Sequence, residues 1–230
     1  MIERRAYLLA GPTASGKSAI AAELAREMGA WILSADSMLV YRGMDIGTAK
    51  PSKEEIAEFH MGGVDVVTPA EEFSSGAWLR AAAAWAGSVP PDVPIVIVGG
   101  TGLYFSALLR GLDRKWEKPP PEYPVIRIER TVVRERIARR LDDMFISGLE
   151  EEKRQLHAQY PVWSMTAARA IGYREGDTKE KIFVRTCQLA KRQDTWFRHQ
   201  ATALYVEPTA DAVRNCWKTK GPWTVRFVSA

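Results

Sequence analysis

Residues 11–18, with the sequence GPTASGKS, have the composition and spacing of a loop that holds a phosphate group. They fit the pattern G-x-x-x-x-G-K-[S/T] and lie between a short apolar run and a segment with helical spacing. Glycine lets the backbone curl so that several N–H groups point at phosphate oxygens, and the following helix adds the positive end of its dipole. The predicted phosphate loop consists of Gly11, Pro12, Thr13, Ala14, Ser15, Gly16, Lys17 and Ser18.

Within the phosphate loop, Lys17 would supply a point charge for the outer phosphates and the Ser18 hydroxyl is the usual Mg²⁺ ligand. Two further polar residues, Asp36 and Thr101, follow strand-like apolar runs. Because the carboxyl ends of parallel strands form the binding crevice, we expect both beside the phosphate loop. From its position alone, Asp36 could be a general base, a group near Mg²⁺ or the cap of a turn.

The elements that position these residues alternate between strand and helix. We predict strands at residues 7–10, 31–35, 64–67 and 94–98, and helices at 17–28, 74–86 and 102–110. The run at 94–98 is entirely apolar, as in a strand buried on both faces of a parallel sheet. We therefore expect an α/β fold, with a P-loop NTPase-like parallel sheet flanked by helices and long helices in the C-terminal part.

The alternating pattern stops at residues 113–124, where three consecutive prolines predict an extended linker. Beyond it we predict a strand at 125–128, a single helix over 131–157, a second helix capped at Asp177 with Glu180 three residues later, and a strand at 223–228. These patterns divide the chain into a catalytic core at residues 1–112, a linker at 113–124, and a C-terminal part at 125–230 that completes the core.

The composition is 46% hydrophobic and 26% charged, which is typical of a globular domain and excludes a disordered tail or a coiled-coil rod. No apolar run reaches the roughly 18–20 residues that span a bilayer. Two cysteines exclude a disulfide framework, and no spacing suggests zinc. The net charge of +4 permits a polyanionic partner without requiring one. We expect a cytoplasmic monomer that does not bind membranes.

Several long blocks of the sequence resemble those of tRNA dimethylallyltransferases, also called tRNA isopentenyltransferases. The blocks are GPTASGKS at 11–18, SADSMLVYRGMDIGTAKP at 34–51 and VGGTGLYFSALLRGL at 98–112. They continue with RIARRLDDMFISGLEEEKRQL, ARAIGYRE at 168–175 and TCQLAKRQDTWFR at 186–198, in the order of the family. The second block is long and unusual, so the resemblance is specific.

The resemblance implies transfer of a dimethylallyl group from dimethylallyl diphosphate to N6 of the adenine at position 37, next to the anticodon of tRNA. The phosphate loop would then hold the diphosphate together with Mg²⁺, and tRNA would enter by its anticodon stem-loop. The catalytic residues implied are Asp36 as the general base, Lys17, Thr101, and Arg169 against the diphosphate. The tRNA-facing residues implied are Asp36, Ser37, Met38, Leu39, Thr101, Lys191, Arg192 and Arg198.

The chain departs from the family at residues 113–124, which stand where the family carries a helical insertion that grips the anticodon stem-loop. The missing insertion leaves open an isopentenyltransferase whose acceptor is free AMP, ADP or ATP. The phosphate loop alone would also suit a P-loop kinase of small molecules, and a non-catalytic RNA-binding remnant is a further alternative.

Overall fold

The computed structural model describes residues 2–110, 121–174, 176–200 and 202–227, which form one six-stranded sheet flanked by helices. The strands are β1 (Ile2–Ala10), β2 (Trp31–Ser34), β3 (Ile95–Gly99), β4 (Tyr123–Ile126), β5 (Ala203–Val206) and β6 (Trp223–Phe227). The helices are α1 (Lys17–Met28), α2 (Lys53–Glu58), α3 (Ser75–Ser88), α4 (Gly102–Arg110), α5 (Arg130–Ile146), α6 (Leu149–Gln159), α7 (Lys179–Arg198) and α8 (Ala210–Lys220), with a 3₁₀ turn at Ala167–Arg169.

Five strands run parallel in the order β2-β3-β1-β4-β5, which confirms the expected α/β class. All five residues of β3 are buried, as its apolar run predicts. The sixth strand, β6, runs antiparallel to β1 and pairs with its first half, from Ile2 to Ala6. Trp217 of α8 also donates from Nε1 to the carbonyl of Leu8, at 2.8 Å. The C-terminal elements therefore complete the sheet that carries the phosphate loop.

Several predicted boundaries agree with the structure. Helix α1 spans the predicted residues, and it ends at Gly29, whose φ of +61° favours glycine. Helix α3 is capped by the Ser74 hydroxyl, which accepts from the N–H of Ala77. Helix α4 likewise runs over the predicted residues.

The helix predicted over residues 131–157 is wrong, because two helices occupy that range. Helix α5 ends at Ile146 and α6 begins at Leu149. Gly148 between them has a φ of +99°, outside helical geometry. The apolar spacing continues across the break, which is why the pattern suggested one helix.

The strand predicted at residues 64–67 is also wrong. Val67 forms one isolated bridge with Tyr41, and the backbone nearby turns, with Gly63 and Asp65 at positive φ. Of the predicted linker, residues 113–120 lie outside the described residues, as do Glu175 of the ARAIGYRE block and Val228 of the predicted last strand.

The cap predicted at Asp177 falls one residue later. The Thr178 hydroxyl accepts from the N–H of Lys181, and α7 begins at Lys179. The Asp177 carboxylate instead accepts from the N–H of Gly172, at 3.1 Å, and pairs with Arg185. Asp177 therefore ties the preceding turn to α7.

Candidate active site at the phosphate loop

The phosphate loop joins β1 to α1 and adopts a curled backbone that few residues tolerate. Gly16 has a φ of +90° and Ala14 a φ of +61°. A Cβ atom on Gly11 would lie 3.1 Å from the Cβ of Ile126 in β4, so glycine fits this close approach. The Ser15 hydroxyl is fully buried, and no group in the described ranges hydrogen-bonds to it. A curled loop with an unmatched polar atom suits an anionic ligand.

Lys17 is a cation held in an unfavourable environment. Its Nζ donates to the carbonyl of Pro12, at 3.2 Å. Burial lowers the pKa of Lys17 to about 8, Asp36 partly offsets this effect, and Arg140 adds to it. An anion bound beside Lys17 would raise this pKa again, because an opposite charge favours the protonated amine.

Helices α5 and α7 close over the phosphate loop. The N–H of Thr13 donates to Gln193 Oε1 of α7, at 2.8 Å, and Arg140 Nη2 of α5 donates to Thr13 Oγ1, at 3.1 Å. Arg136, one helical turn before Arg140, donates from Nη1 to the carbonyl of Ala14, at 3.3 Å. Two long helices are thus positioned by contacts with the loop itself.

Arg140 is a site residue that our reading of the sequence missed. Burial lowers its pKa, against the opposing effect of Asp36. Its Nε is buried and has no hydrogen-bond partner among the described residues. The signal that could have revealed it is the spacing of Arg136 and Arg140, which places two arginines on one face of α5.

Asp36 and Thr101 meet at the carboxyl ends of β2 and β3, as expected. Asp36 Oδ1 accepts from the N–H of Met38, at 2.9 Å, and Thr101 Oγ1 accepts from the N–H of Ser37, at 3.0 Å. The N–H of Thr101 donates to the carbonyl of Ala35, at 3.1 Å. These bonds hold the carboxylate of Asp36 on a fixed turn, with one oxygen engaged by the backbone.

A cavity of about 420 Å³ opens beside the phosphate loop. Its polar lining comes from Thr13, Lys17, Ser18, Asp36 and Arg140. Its apolar lining comes from Ala22, Ile32, Leu39, Phe59, Met61 and Val98. Cationic, carboxylate and apolar surfaces therefore share one space of the size that small-molecule sites have. The arrangement suits a ligand with an anionic head and a short hydrocarbon group.

One wall of this cavity is formed by Thr48, Ala49, Lys50 and Pro51. A distant carboxylate, Glu152 of α6, holds the backbone that leads into this wall. Glu152 accepts from the N–H groups of Asp45, Ile46 and Gly47, at 2.8–3.3 Å, and from the hydroxyl of Tyr173. Burial and the neighbouring Glu152 raise the pKa of Tyr173, so its hydroxyl stays protonated and donates.

Lys50 is held in a comparable way within that wall. Its nearly buried Nζ pairs with Asp45 and Asp65, both at 2.6 Å, and donates to the carbonyl of Tyr41. The wall is therefore fixed by two separate sets of polar contacts, one from α6 and one within residues 41–65.

Four of the predicted basic site residues lie apart from the cavity lining. Arg169 is exposed, with Nη2 at 3.4 Å from Met165 Sδ. Arg192 is exposed on α7, and Arg198 pairs with Asp194. Lys191 lines a different groove. Leu39 lines the cavity, whereas Ser37, Met38 and Thr101 do not, and Ser37 and Thr101 are joined by a hydrogen bond next to Asp36.

Two kinds of feature are absent from the described part of the chain. None of its helices has the length and apolar character needed to cross a membrane. Within the same residues, no three histidine, cysteine or acidic side chains cluster as a metal site would require.

Comparisons with known proteins agree on one family. A family model described as IPP transferase matches residues 39–127 and 114–200, and one described as isopentenyl transferase matches residues 4–61. The chain is 34% identical over 282 residues to a tRNA dimethylallyltransferase of Thioalkalivibrio sulfidiphilus, covering 84% of this chain and 87% of the relative. It is 31% identical over 267 residues to a tRNA dimethylallyltransferase of Nautilia profundicola, covering 84% of this chain and 92% of the relative.

The fold has a counterpart among solved structures. The full-length tRNA isopentenylpyrophosphate transferase of Bacillus halodurans superimposes with a TM-score of 0.80 at 23% identity, covering 94% of this chain and 98% of that one. This likeness shows that the two chains share an architecture.

Proposed function

This chain belongs to the IPP transferase family, and on that basis we propose that it transfers a dimethylallyl group from dimethylallyl diphosphate to N6 of adenine 37 in tRNA, releasing diphosphate. The observation that carries the proposal is the single cavity that joins the phosphate loop, the carboxylate of Asp36 and an apolar lining. A prenyl diphosphate has an anionic part and a hydrocarbon part that match these surfaces.

The reaction needs one bond to form as another breaks. The N6 nitrogen of adenine attacks C1 of the dimethylallyl group, and the C1–O bond breaks with its electron pair going to the diphosphate. Asp36 takes the proton that N6 loses. Lys17, Arg140 and the N–H groups of the phosphate loop stabilise the charge that develops on the diphosphate. Their common cavity lining supports these roles.

Mg²⁺ fits this site by the chemistry of its donors. Ser18 and Asp36 offer oxygen ligands within the cavity lining, and Mg²⁺ prefers hard oxygen ligands. We propose that the Ser18 hydroxyl and the diphosphate hold the ion. When bound, it would neutralise charge on the leaving diphosphate.

The partner of the enzyme is tRNA, presented by its anticodon stem-loop with the target adenine turned out of the loop. We assign the tRNA-facing side to Ser37, Met38, Leu39 and Thr101 near the cavity, and to the basic residues Lys191, Arg192 and Arg198 on α7. Arg169, exposed on its 3₁₀ turn, keeps its proposed contact with the diphosphate only if substrate binding brings it inward. We further propose that the enzyme acts as a monomer in the cytoplasm.

Residues 113–124 stand in place of an insertion domain that longer family members carry. The alignment with the Thioalkalivibrio sulfidiphilus relative spans 282 residues although this chain has only 230, so the relative has internal residues without counterparts here. The two IPP transferase matches overlap at residues 114–127, which supports a deletion at that point. The remaining protein must then hold tRNA with a smaller surface.

The proposal is tested by offering the purified protein labelled dimethylallyl diphosphate with unmodified tRNA, with AMP, or with ATP. We expect label in tRNA alone, at the adenine next to the anticodon. Label in AMP but not in tRNA would identify a free nucleotide as the acceptor. Phosphoryl transfer from ATP without prenyl transfer would identify a kinase.

The role of Asp36 is tested with Asp36→Asn, which keeps the shape of the side chain and an oxygen that can accept from Met38. We expect transfer to fall by about a hundredfold or more, which is the usual contribution of a general base, with little change in binding of dimethylallyl diphosphate. Asp92→Asn, at an exposed position, is the matched control. Equal turnover in the two variants would contradict the assignment of Asp36 as the base.

A further inference from the structure

A second cavity, of about 300 Å³, lies between the facing sides of α5 and α7 and is distinct from the active-site cavity. We call it the α5–α7 groove. Its apolar surface includes Ile128, Val133 and Val184, and its cationic surface includes Arg130, Arg134 and Lys191. Of its lining, the function proposed above uses only Lys191, as a tRNA-facing residue, and Pro12 of the phosphate loop.

The positive charges of the α5–α7 groove lack acidic partners. Within the described ranges, Arg130 and Lys191 form neither an ion pair nor a side-chain hydrogen bond. The guanidinium of Arg134 lies over the ring of Phe183, 5.1 Å from its centroid. The one carboxylate in the lining, Asp194, already pairs with Arg198. Charge complementarity therefore favours an anionic occupant.

The apolar part of the groove favours an occupant that is also flat and hydrophobic. Val184 leaves 51% of its surface exposed, which is unusual for a large apolar side chain and makes it accessible from solvent. Unstacked bases of RNA stack on the planes of arginine side chains, while lysine and arginine neutralise the adjoining phosphates. A nucleotide combines a flat apolar base with a phosphate, and tRNA is the anionic substrate of the proposed function.

The groove is also in contact with the catalytic machinery. Pro12 of the phosphate loop forms part of its lining. The carbonyl of Pro12 accepts from Lys17, and Gln193 of α7 accepts from the neighbouring Thr13. An RNA that fills the groove therefore lies against the outer side of the phosphate loop.

We propose that the α5–α7 groove binds an unstacked nucleotide of the tRNA, with its base on Ile128, Val133 and Val184 and its phosphate between Arg130 and Lys191. The inference rests on the proposed function, because it takes tRNA as the substrate. It adds a binding site for a nucleotide other than the adenine that is modified. Such a site gives the short chain an additional hold on tRNA.

The first test compares Val184→Glu, which places a carboxylate in the groove, with Val162→Glu, the same change at a valine that is 78% exposed outside it. Because the new carboxylate would repel the phosphate of a bound nucleotide, we expect the KM for tRNA to rise about tenfold or more in Val184→Glu only. The KM for dimethylallyl diphosphate should be unchanged in both variants. Equal tRNA kinetics in both would overturn the groove proposal.

The second test uses Cys187, which lines the groove, in a Cys216→Ser background. A photoactivated aryl azide attached to Cys187 should crosslink to one nucleotide of bound tRNA, identified by primer extension. No crosslink, or crosslinks without positional preference, would overturn the proposal. A second copy of the chain crosslinked instead would identify a protein interface.

The two proposals fail in different ways. If the unaltered protein transfers no label to tRNA, the proposed function is wrong. If it transfers label normally, and Val184→Glu behaves like Val162→Glu, only the groove proposal is wrong.

Discussion

Glu152 supports a sharp prediction, because one carboxylate of α6 orders the backbone at residues 45–47, next to the cavity wall. Its Oε2 accepts from Asp45 and Ile46, at 3.0 and 2.8 Å. Its Oε1 accepts from Ile46 and Gly47, at 3.0 and 3.3 Å, and from the hydroxyl of Tyr173. In Glu152→Gln, whichever way the amide turns, its NH₂ group faces at least two of these donors.

The expected loss of stability follows from that count. A hydrogen bond to a charged group is worth about 1.5–3 kcal/mol, against about 0.5–1.5 kcal/mol for one to a neutral acceptor. The N–H of Gly47 keeps the hydroxyl of Tyr173 as an acceptor, at 2.9 Å, so the loss comes mainly from removing the negative charge. Because Asp45 is exposed and water can reach its N–H, we expect a net loss of about 2–3 kcal/mol in the free energy of unfolding. For a chain of this size, that loss lowers Tm by about 5–10 °C.

The assay is urea unfolding together with steady-state kinetics. Glu151→Gln is the matched control, because Glu151 is exposed and pairs with Arg154 on the surface, where such pairs add little to stability. We also expect the KM for dimethylallyl diphosphate to rise several-fold in Glu152→Gln, since Thr48, Ala49 and Lys50 line the cavity. The reasoning is refuted if the two variants unfold at the same urea concentration.

Three further predictions concern the phosphate loop and its covering helices. Arg140→Gln should raise the KM for dimethylallyl diphosphate about tenfold or more, because one charged hydrogen bond to the substrate is lost. Arg139→Gln, at the exposed neighbouring position, should leave this KM unchanged. Equal KM values in the two variants would show that Arg140 does not bind the diphosphate. The pKa of Lys17 is lowered to about 8, so Lys17 loses its positive charge as the pH rises through 8. The KM for dimethylallyl diphosphate, measured over a series of pH values, should therefore rise in this range. Lys17→Arg, which stays charged, should abolish the pH dependence. Gly102→Ala would place a Cβ 2.2 Å from the ring of Trp196, so we expect the free energy of unfolding in urea to fall by about 1–3 kcal/mol. An unchanged unfolding midpoint would show that α4 and α7 can move apart without loss of stability.

Local signals made the phosphate loop and its neighbours predictable from the sequence. The two glycines, the lysine and the apolar spacing of α1 act within a few residues of one another, so both ends of that helix could be predicted. The position of Asp36 followed from a general property of parallel sheets, in which strand ends converge. The prediction that Asp36 lies beside Lys17 is confirmed by their shared cavity.

Features that depend on distant contacts could not be predicted in this way. Glu152 holds a turn about a hundred residues earlier in the chain, and Arg140 reaches Thr13 from another helix. Gly148 breaks a helix whose apolar spacing continues on either side of it. In each case the local pattern is compatible with two structures, and tertiary packing selects one of them.

The pairing of β6 with the first half of β1 also determines when the active site can form during synthesis. The strand that carries the phosphate loop emerges from the ribosome before the other strands of this sheet, but residues 223–227, which complete its hydrogen bonding, are made more than two hundred residues later. Contacts this far apart in sequence slow folding and expose unpaired strand edges to aggregation. Chains that stop before residue 223 leave Ile2–Ala6 without this partner strand, so we expect them to aggregate more readily than chains that include it.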